Sequence, residues 1–249
     1  MRNKVLISAL LFGLIVYGCK KEKAPTETAE RTETVKETVM GITIKWLGHA
    51  SFKISCEDKV IYIDPWKLKD SPKGATIVLV SHSHYDHYSA KDIEKVSGSD
   101  TKLIAAADVI NQHGKGQAIV PGQTVESDGI KVIGIPAYNP SKQFHPKSNN
   151  WVGFVIEVSS KRIYYAGDTD LTAEMKALKN IDVALLPIGG TYTMNAEEAA
   201  EATKSIKPKQ AIPYHWGDIV GSRKDADQFA KMAQCKVTVL TPGQTINIE

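Results

Sequence analysis

The run Ile77-Val78-Leu79-Val80-Ser81-His82-Ser83-His84-Tyr85-Asp86-His87 constrains this chain more than any other stretch of it. Four consecutive apolar residues, three of them β-branched, read as a buried strand. That strand delivers three of the chain's seven histidines and an aspartate within the six positions 82–87. On an extended backbone alternate side chains share a face, so His82, His84 and Asp86 can point to one side. A sharp turn after the strand brings His87 to join them. Imidazole nitrogen with carboxylate oxygen suits zinc, and also iron, manganese or nickel. The spacing is dense enough to build halves of two adjacent metal sites.

The flanks resolve into short elements. Apolar segments at 42–46, 51–55 and 60–63, parted by Gly48 and by Glu57-Asp58-Lys59, predict antiparallel strands. A strand at 76–80 leads to the histidines, and a helix at 90–96 follows. Further strands are expected at 102–106, 124–126, 131–135, 151–158, 162–166, 183–187, 210–214 and 236–240. Helices are expected at 108–112, 172–178 and 225–234. Asn195 with Glu198 three positions later has the form of a capping box, which opens a helix running to Ile206. Strands with helices between them, in two loosely similar halves, predict an α/β domain over 41–249 with two packed sheets and helices outside.

The first forty residues have a different character. Two positive charges at Arg2 and Lys4 precede an apolar stretch from Val5 to Tyr17, a signal-peptide layout too short for a settled membrane span. Leu14-Ile15-Val16-Tyr17-Gly18-Cys19 resembles the bacterial lipoprotein lipobox, which implies a signal peptide over 1–18, a lipidated Cys19 and a membrane-anchored place in the cell envelope. Residues 19–40, rich in Lys, Glu and Thr, have too little apolar surface to fold and are expected to form a tether. Seven of the 31 Lys/Arg and five of the 28 acidic residues precede residue 41, leaving 24 against 23. A near-neutral domain has no electrostatic footprint for nucleic acid. Cys56 and Cys235 form a disulfide or remain two separate thiols; the sequence is compatible with either.

Beyond the cluster, four further motifs follow one order along the chain. Gly48-His49-Ala50-Ser51-Phe52 and Ile63-Asp64-Pro65-Trp66 precede it, and Ala166-Gly167-Asp168-Thr169-Asp170 and Pro213-Tyr214-His215-Trp216 come after it. With the HxHxDH pattern these resemble the metallo-β-lactamase fold superfamily over residues 41 to about 245. The particular likeness is to a branch of metal-dependent hydrolases that is also similar to the phospholipase D acting on N-acyl-phosphatidylethanolamines and to ascorbate-6-phosphate lactonase-like proteins. The resemblance implies a four-layer αββα sandwich and two divalent metal ions, zinc first, with manganese or iron as alternatives. It implies that His82 and His84 bind metal 1, that Asp86, His87 and His215 bind metal 2, and that Asp168 bridges both. Many relatives place the third ligand of metal 1 soon after a Pro-Ala pair, where this chain has Asn139; His145 lies six residues later. Imidazole is the better donor, so His145 is the expected ligand, with Asn139 as the alternative.

The chemistry that follows is hydrolysis. Two metals about 3.5–4 Å apart hold a bridging water as a nucleophilic hydroxide, directed at an ester, phosphodiester, lactone or amide. Asp86 and Asp168 are then the proton-handling residues, and the substrate is a small molecule or a lipid. Oxygen-reducing diiron relatives carry glutamate where this chain has His84, which favours hydrolysis over redox chemistry. The alternative is a membrane-tethered metal- or ligand-binding module with an impaired site. Asp64 is expected to orient a metal-bound histidine through its ring N–H, unless it serves only an Asp-Pro turn. His49 either supports the cluster or packs the first hairpin. Gly189–Met194 lines a pocket or makes a tight turn, His113 is expected to be solvated in a polar loop, and Lys142 and Lys147 are candidate contacts for an anionic substrate.

Overall fold

The computed structural model describes residues 41–70 and 73–248. The expected signal peptide, Cys19 and the tether lie outside these residues. The chain opens with three antiparallel strands, β1 (Ile42–Gly48), β2 (Ser51–Cys56) and β3 (Lys59–Ile63). Alternate residues Ile42, Ile44 and Trp46 of β1 are buried, as the two-residue period of a half-covered strand requires. The next strand, β4 (Ala75–Val80), runs parallel to β3 and has almost every residue buried, which accounts for its unbroken apolar run. Then follow α1 (Ala90–Val96), β5 (Ser97–Ala105), α2 (Ala107–His113) and the two-residue β6 (Gln117–Ala118).

The second half mirrors this order. Antiparallel β7 (Thr124–Ser127), β8 (Ile130–Pro136), β9 (Val152–Val158) and β10 (Lys161–Tyr165) lead into α3 (Ala173–Lys176). β11 (Val183–Pro187), α4 (Ala196–Ile206), β12 (Gln210–Tyr214), α5 (Arg223–Met232) and β13 (Lys236–Val237) continue the sheet in parallel. Finally β14 (Thr245–Ile248) returns to pair with β1. The result is two seven-stranded mixed sheets, β14-β1-β2-β3-β4-β5-β6 and β13-β12-β11-β10-β9-β8-β7, flanked by helices.

Most expected elements stand within a residue or two of their places. The capping box at Asn195 is present in full: its side chain accepts from the Glu198 N–H, and the Glu198 carboxylate accepts from the Asn195 N–H. The departures have local causes. The helix expected at 225 begins at Arg223, because Ser222 and Asp225 form a second capping box. β5 starts at the polar Ser97 rather than at 102, β13 is only two residues long, and β6 and β14 were not foreseen, since pairing partners decide such short edges. Cys56 and Cys235 are both free thiols, Cys56 donating its S–H to Ser159 Oγ at 3.0 Å. Burial pushes the Cys235 thiol up to about 11.

The two sheets share one hydrophobic core. Phe52 of β2 meets Tyr165 of β10 and Tyr214 of β12 at ring-centroid distances of 6.2 and 5.6 Å, and the two tyrosines stack at 5.0 Å. Such buried aromatic pairs contribute about 0.5–1.5 kcal/mol each beyond their buried area. The tyrosine hydroxyls emerge from this core toward one end of the sandwich. There the loops after β3, β4, β10, β11 and β12 converge at the carboxyl ends of their strands.

Candidate metal centre

The loop after β4 turns as its sequence suggests. His87 N–H and Tyr88 N–H both donate to His84 O, at 3.0 and 2.8 Å, folding the chain into a tight turn that returns His87 to the cluster. His82 Nε2 and His84 Nδ1 lie 3.1 Å apart, and His145 completes a group whose ligand atoms all fall within 4.8 Å of one another. Trp151 backs this group, its ring 4.8 Å from those of both His82 and His84.

His145, and not Asn139, is the side chain that the fold brings to His82 and His84. The segment after β8 doubles back, with the Asn139 N–H donating to His145 O at 2.8 Å. The Asn139 amide oxygen accepts from both the His145 N–H and its Nδ1–H, at 3.0 and 2.8 Å, while its amide NH2 donates to Tyr192 O. Asn139 thereby fixes the tautomer of His145, leaving Nε2 aimed at the cluster with its lone pair free.

A second group comprises His49, Asp86, His87 and His215, and Asp168 stands between the two. Asp168 Oδ1 lies 3.3 Å from His87 Nε2, and Oδ2 lies 3.4 Å from His145 Nε2 and 3.1 Å from His215 Nε2. Asp86 Oδ2 is 3.9 Å from both His87 Nε2 and His215 Nε2. Two glycines permit this approach. Gly167 takes φ +69° just before Asp168, and a Cβ on Gly189 would come within 2.7 Å of His215 O.

Behind the ring nitrogens, Asp64 organises the cluster. It is fully buried; its Oδ1 accepts from the Ser81 N–H at 2.7 Å, and its Oδ2 accepts from His87 Nδ1–H, Ser81 Oγ–H and Tyr165 O–H at 2.7, 2.6 and 2.6 Å. With its proton committed to Asp64, Ser81 Oγ accepts from His82 Nδ1–H at 2.9 Å. One carboxylate thus sets two histidines with Nε2 facing inward, the second-partner arrangement common around metal-binding imidazoles. The ring N–H contact expected of Asp64 is present, to His87. His49 combines both of its expected roles, because its Nε2–H donates to Asp86 Oδ2 at 2.9 Å while its backbone oxygen accepts from Trp46 Nε1 and the His215 N–H. His49, Asp64 and His215 all hold φ between +43° and +62°, the left-handed region that side chains enter at a cost of about 1–3 kcal/mol.

The electrostatics are those of a site built for cations. Burial works to raise Asp168, but the rings of His215 and His87 outweigh it and hold its carboxyl well below the usual carboxylate range. Burial also works against a charged His87, yet Asp168 and Asp64 outweigh it and hold the ring well above its ordinary value. Burial dominates at His82 and pushes it well below the ordinary value, so this ring is neutral and able to ligate. Six buried atoms of the cluster, His49 Nδ1, His87 Nε2, His145 Nε2, both ring nitrogens of His215 and Asp168 Oδ1, have no hydrogen-bond partner, although such atoms are rarely left unpaired. Tetrahedral coordination with metal–ligand bonds of about 2.0–2.1 Å puts neighbouring ligand atoms about 3.3–3.4 Å apart. The 3.1–3.4 Å contacts of Asp168 and the 3.1 Å His82–His84 contact match that edge length. The donor set and the orphaned atoms fit divalent metal.

Other sequence candidates lie elsewhere. Lys142 pairs with Asp170 Oδ1 at 2.6 Å and Lys147 with Glu174 Oε1 at 2.8 Å, and neither lines the cavity over the cluster. His113 ends α2, half-buried and 3.3 Å from Tyr88 OH, rather than solvated in a loop. Of the Gly189–Met194 segment, Tyr192 reaches that cavity. Trp151 and Ser81 were not singled out from the sequence; Ser81 could have been, as the residue that joins the strand to the first histidine.

Comparison with known proteins gives the family. The β-lactamase superfamily domain matches residues 43–215. A UPF0173 metal-dependent hydrolase of Pyrococcus abyssi is 35% identical over 83% of this chain and all of its own length. Among solved structures, a Parabacteroides distasonis protein described as a metal-dependent hydrolase has 33% identity and a TM-score of 0.72, covering 82% of this chain and 94% of its own. Igni18, a metallo hydrolase from Ignicoccus hospitalis, has 26% identity and a TM-score of 0.70, covering 84% and 99%. The chain belongs to the metallo-β-lactamase superfamily and, within it, to the UPF0173 metal-dependent hydrolases. It is a metal-dependent hydrolase, and nothing in these comparisons favours the binding-module alternative.

Proposed function

We propose that the cluster holds two divalent metal ions, zinc first and manganese or iron as alternatives, and hydrolyses an ester, lactone, amide or phosphodiester. His82, His84 and His145 would hold one ion, Asp86, His87 and His215 the other, and Asp168 both. When bound, such a pair lowers the pKa of a shared water toward neutrality and polarises the carbonyl or phosphoryl oxygen under attack. The single observation that carries the reading is the convergence of the unpartnered His87, His145 and His215 Nε2 atoms on the Asp168 carboxylate.

The chain's own residues divide the remaining work. Asp64 and Asn139 hold proton-bearing Nδ1 atoms outward, so that Nε2 lone pairs face the centre. His49 holds Asp86 Oδ2, and either carboxylate, Asp86 or Asp168, is placed to take the proton released as water adds and return it to the leaving group. Trp151, only 7% exposed, covers the rear of the site and limits water there.

Elemental analysis of the purified chain tests the reading. Two equivalents of metal per chain are expected, with turnover lost to a chelator and restored by metal; absence of metal uptake would overturn it. We further propose export and lipidation at Cys19, with 19–40 as tether and 41–249 as the hydrolase domain. A lipid-sized mass on the N-terminal peptide, absent from Cys19→Ser, is the expected result, and an unmodified wild-type peptide would refute it.

A further inference from the structure

Resting on that hydrolase reading, we propose that the substrate presents an uncharged aromatic or short aliphatic group to the cavity over the metal centre. A cavity of ≈ 240 Å³ opens onto the cluster at His84, Asp86, His145 and Asp168. Its other walls are Tyr85, Phe144, Tyr192 and Ile219. Phe144 meets Tyr192 edge to face, with centroids 4.8 Å apart and planes at 85°. Phe144 is 37% exposed and Tyr85 69%, so these rings add little to the core, and their apolar area is available to a ligand. A cavity of about 150 Å³ suffices for benzene, and drug-sized ligands occupy about 300–1,000 Å³. The space therefore matches one aromatic ring with a small substituent, or a chain of about six to eight carbons.

Charge narrows the class further. No lysine or arginine is among the described residues that line the cavity. The lysines of the surrounding loops are engaged: Lys142 with Asp170 and with Thr193 O, Lys147 with Glu174, and Lys67 with Asp218 while its ammonium sits 4.0 Å over the Trp66 ring. The part of the substrate that fills this space away from the metal ions would meet no side-chain cation, so a charge there would be costly and the group is uncharged. With an ester substrate the water oxygen forms a bond to the acyl carbon, and the acyl C–O bond breaks with its electron pair on the leaving oxygen. That oxygen takes a proton, so one water is consumed and a carboxylic acid and an alcohol are released.

The test assays the full-length zinc-loaded chain with p-nitrophenyl acetate and p-nitrophenyl benzoate, recording metal content alongside. The expected kcat/KM for the benzoate exceeds that for the acetate by about tenfold, the lower end of what one apolar contact discriminates. Phe144→Ala and Tyr192→Ala should cut the benzoate-to-acetate ratio about tenfold, through KM, with two metals retained. A ratio unmoved in both alanine variants would overturn this choice of group while leaving metal-activated hydrolysis standing. Loss of turnover on every substrate despite two bound metals would overturn both.

Discussion

Replacing Asp64 with asparagine changes one oxygen for an amide nitrogen in a fully buried position, and its consequences can be worked out contact by contact. The carboxylate accepts four hydrogen bonds, one on Oδ1 and three on Oδ2. Whichever way the amide is turned, its NH2 faces at least one buried donor: the Ser81 N–H in one orientation, or the Ser81, His87 and Tyr165 donors in the other. One unsatisfied buried donor costs about 1–3 kcal/mol, and the surviving bonds lose the strength that a charged acceptor gives them, about 1 kcal/mol each. With one donor unsatisfied and three bonds weakened the expected loss is about 4–6 kcal/mol, from a total that for such a domain is about 5–15 kcal/mol, so the variant folds unless the parent lies at the bottom of that range. Metal affinity should fall by about 10–100-fold, the usual effect of removing a ligand's outer partner. Both halves of the centre should weaken, because Asp64 acts on His87 directly and on His82 through Ser81 Oγ. Denaturant unfolding of the metal-free protein reads the first quantity, and competition with a chromophoric chelator reads the second. Ser81→Ala is the milder companion, which should weaken the His82 side alone. A folded Asp64→Asn chain that binds two metals with unchanged affinity would refute the reasoning.

Three further outcomes are expected. His84→Ala should abolish metal-dependent turnover with the far-ultraviolet spectrum preserved, since His84 is only half-buried; retained activity would refute the assignment of that ring to the centre. Asn139→Leu frees the His145 ring and should reduce affinity for one of the two metals by about 10–100-fold while sparing the other; an equal loss at both, or none, would count against it. The third concerns pH. Charged His87, its pKa held high in the metal-free chain, stabilises the fold fully below the unfolded value of about 6.5, and that contribution disappears as pH rises through the folded value. Asp168, held low, contributes above its unfolded pKa, and this is lost in acid. Metal must displace the His87 proton, so the rise in Tm on adding zinc should grow between about pH 6 and about pH 8. A flat or falling increment across that window would refute the coupling.

The part of this protein that its sequence by itself determined is the part built from near neighbours. A β-branched run followed by HxHxDH in six positions makes a strand end and a dense donor set whatever surrounds them, and capping at Asn195 needs only Glu198. The five motifs in order were enough to identify the αββα architecture. The choice between Asn139 and His145 was different. Six residues separate them, either could have reached His82 and His84, and only the doubling back of the chain after β8 put the imidazole inside and the amide behind it. His49 meets Asp86 across 37 residues and Tyr165 meets Asp64 across 101, contacts that exist because β2, β10 and β12 pack around Phe52. The substrate-facing rings Phe144 and Tyr192 lie on separate loops with no shared pattern in the sequence. Local covalent spacing dictates which donors can act together, but the partners that aim them, and the walls that choose a substrate, are set by the packing of the two sheets.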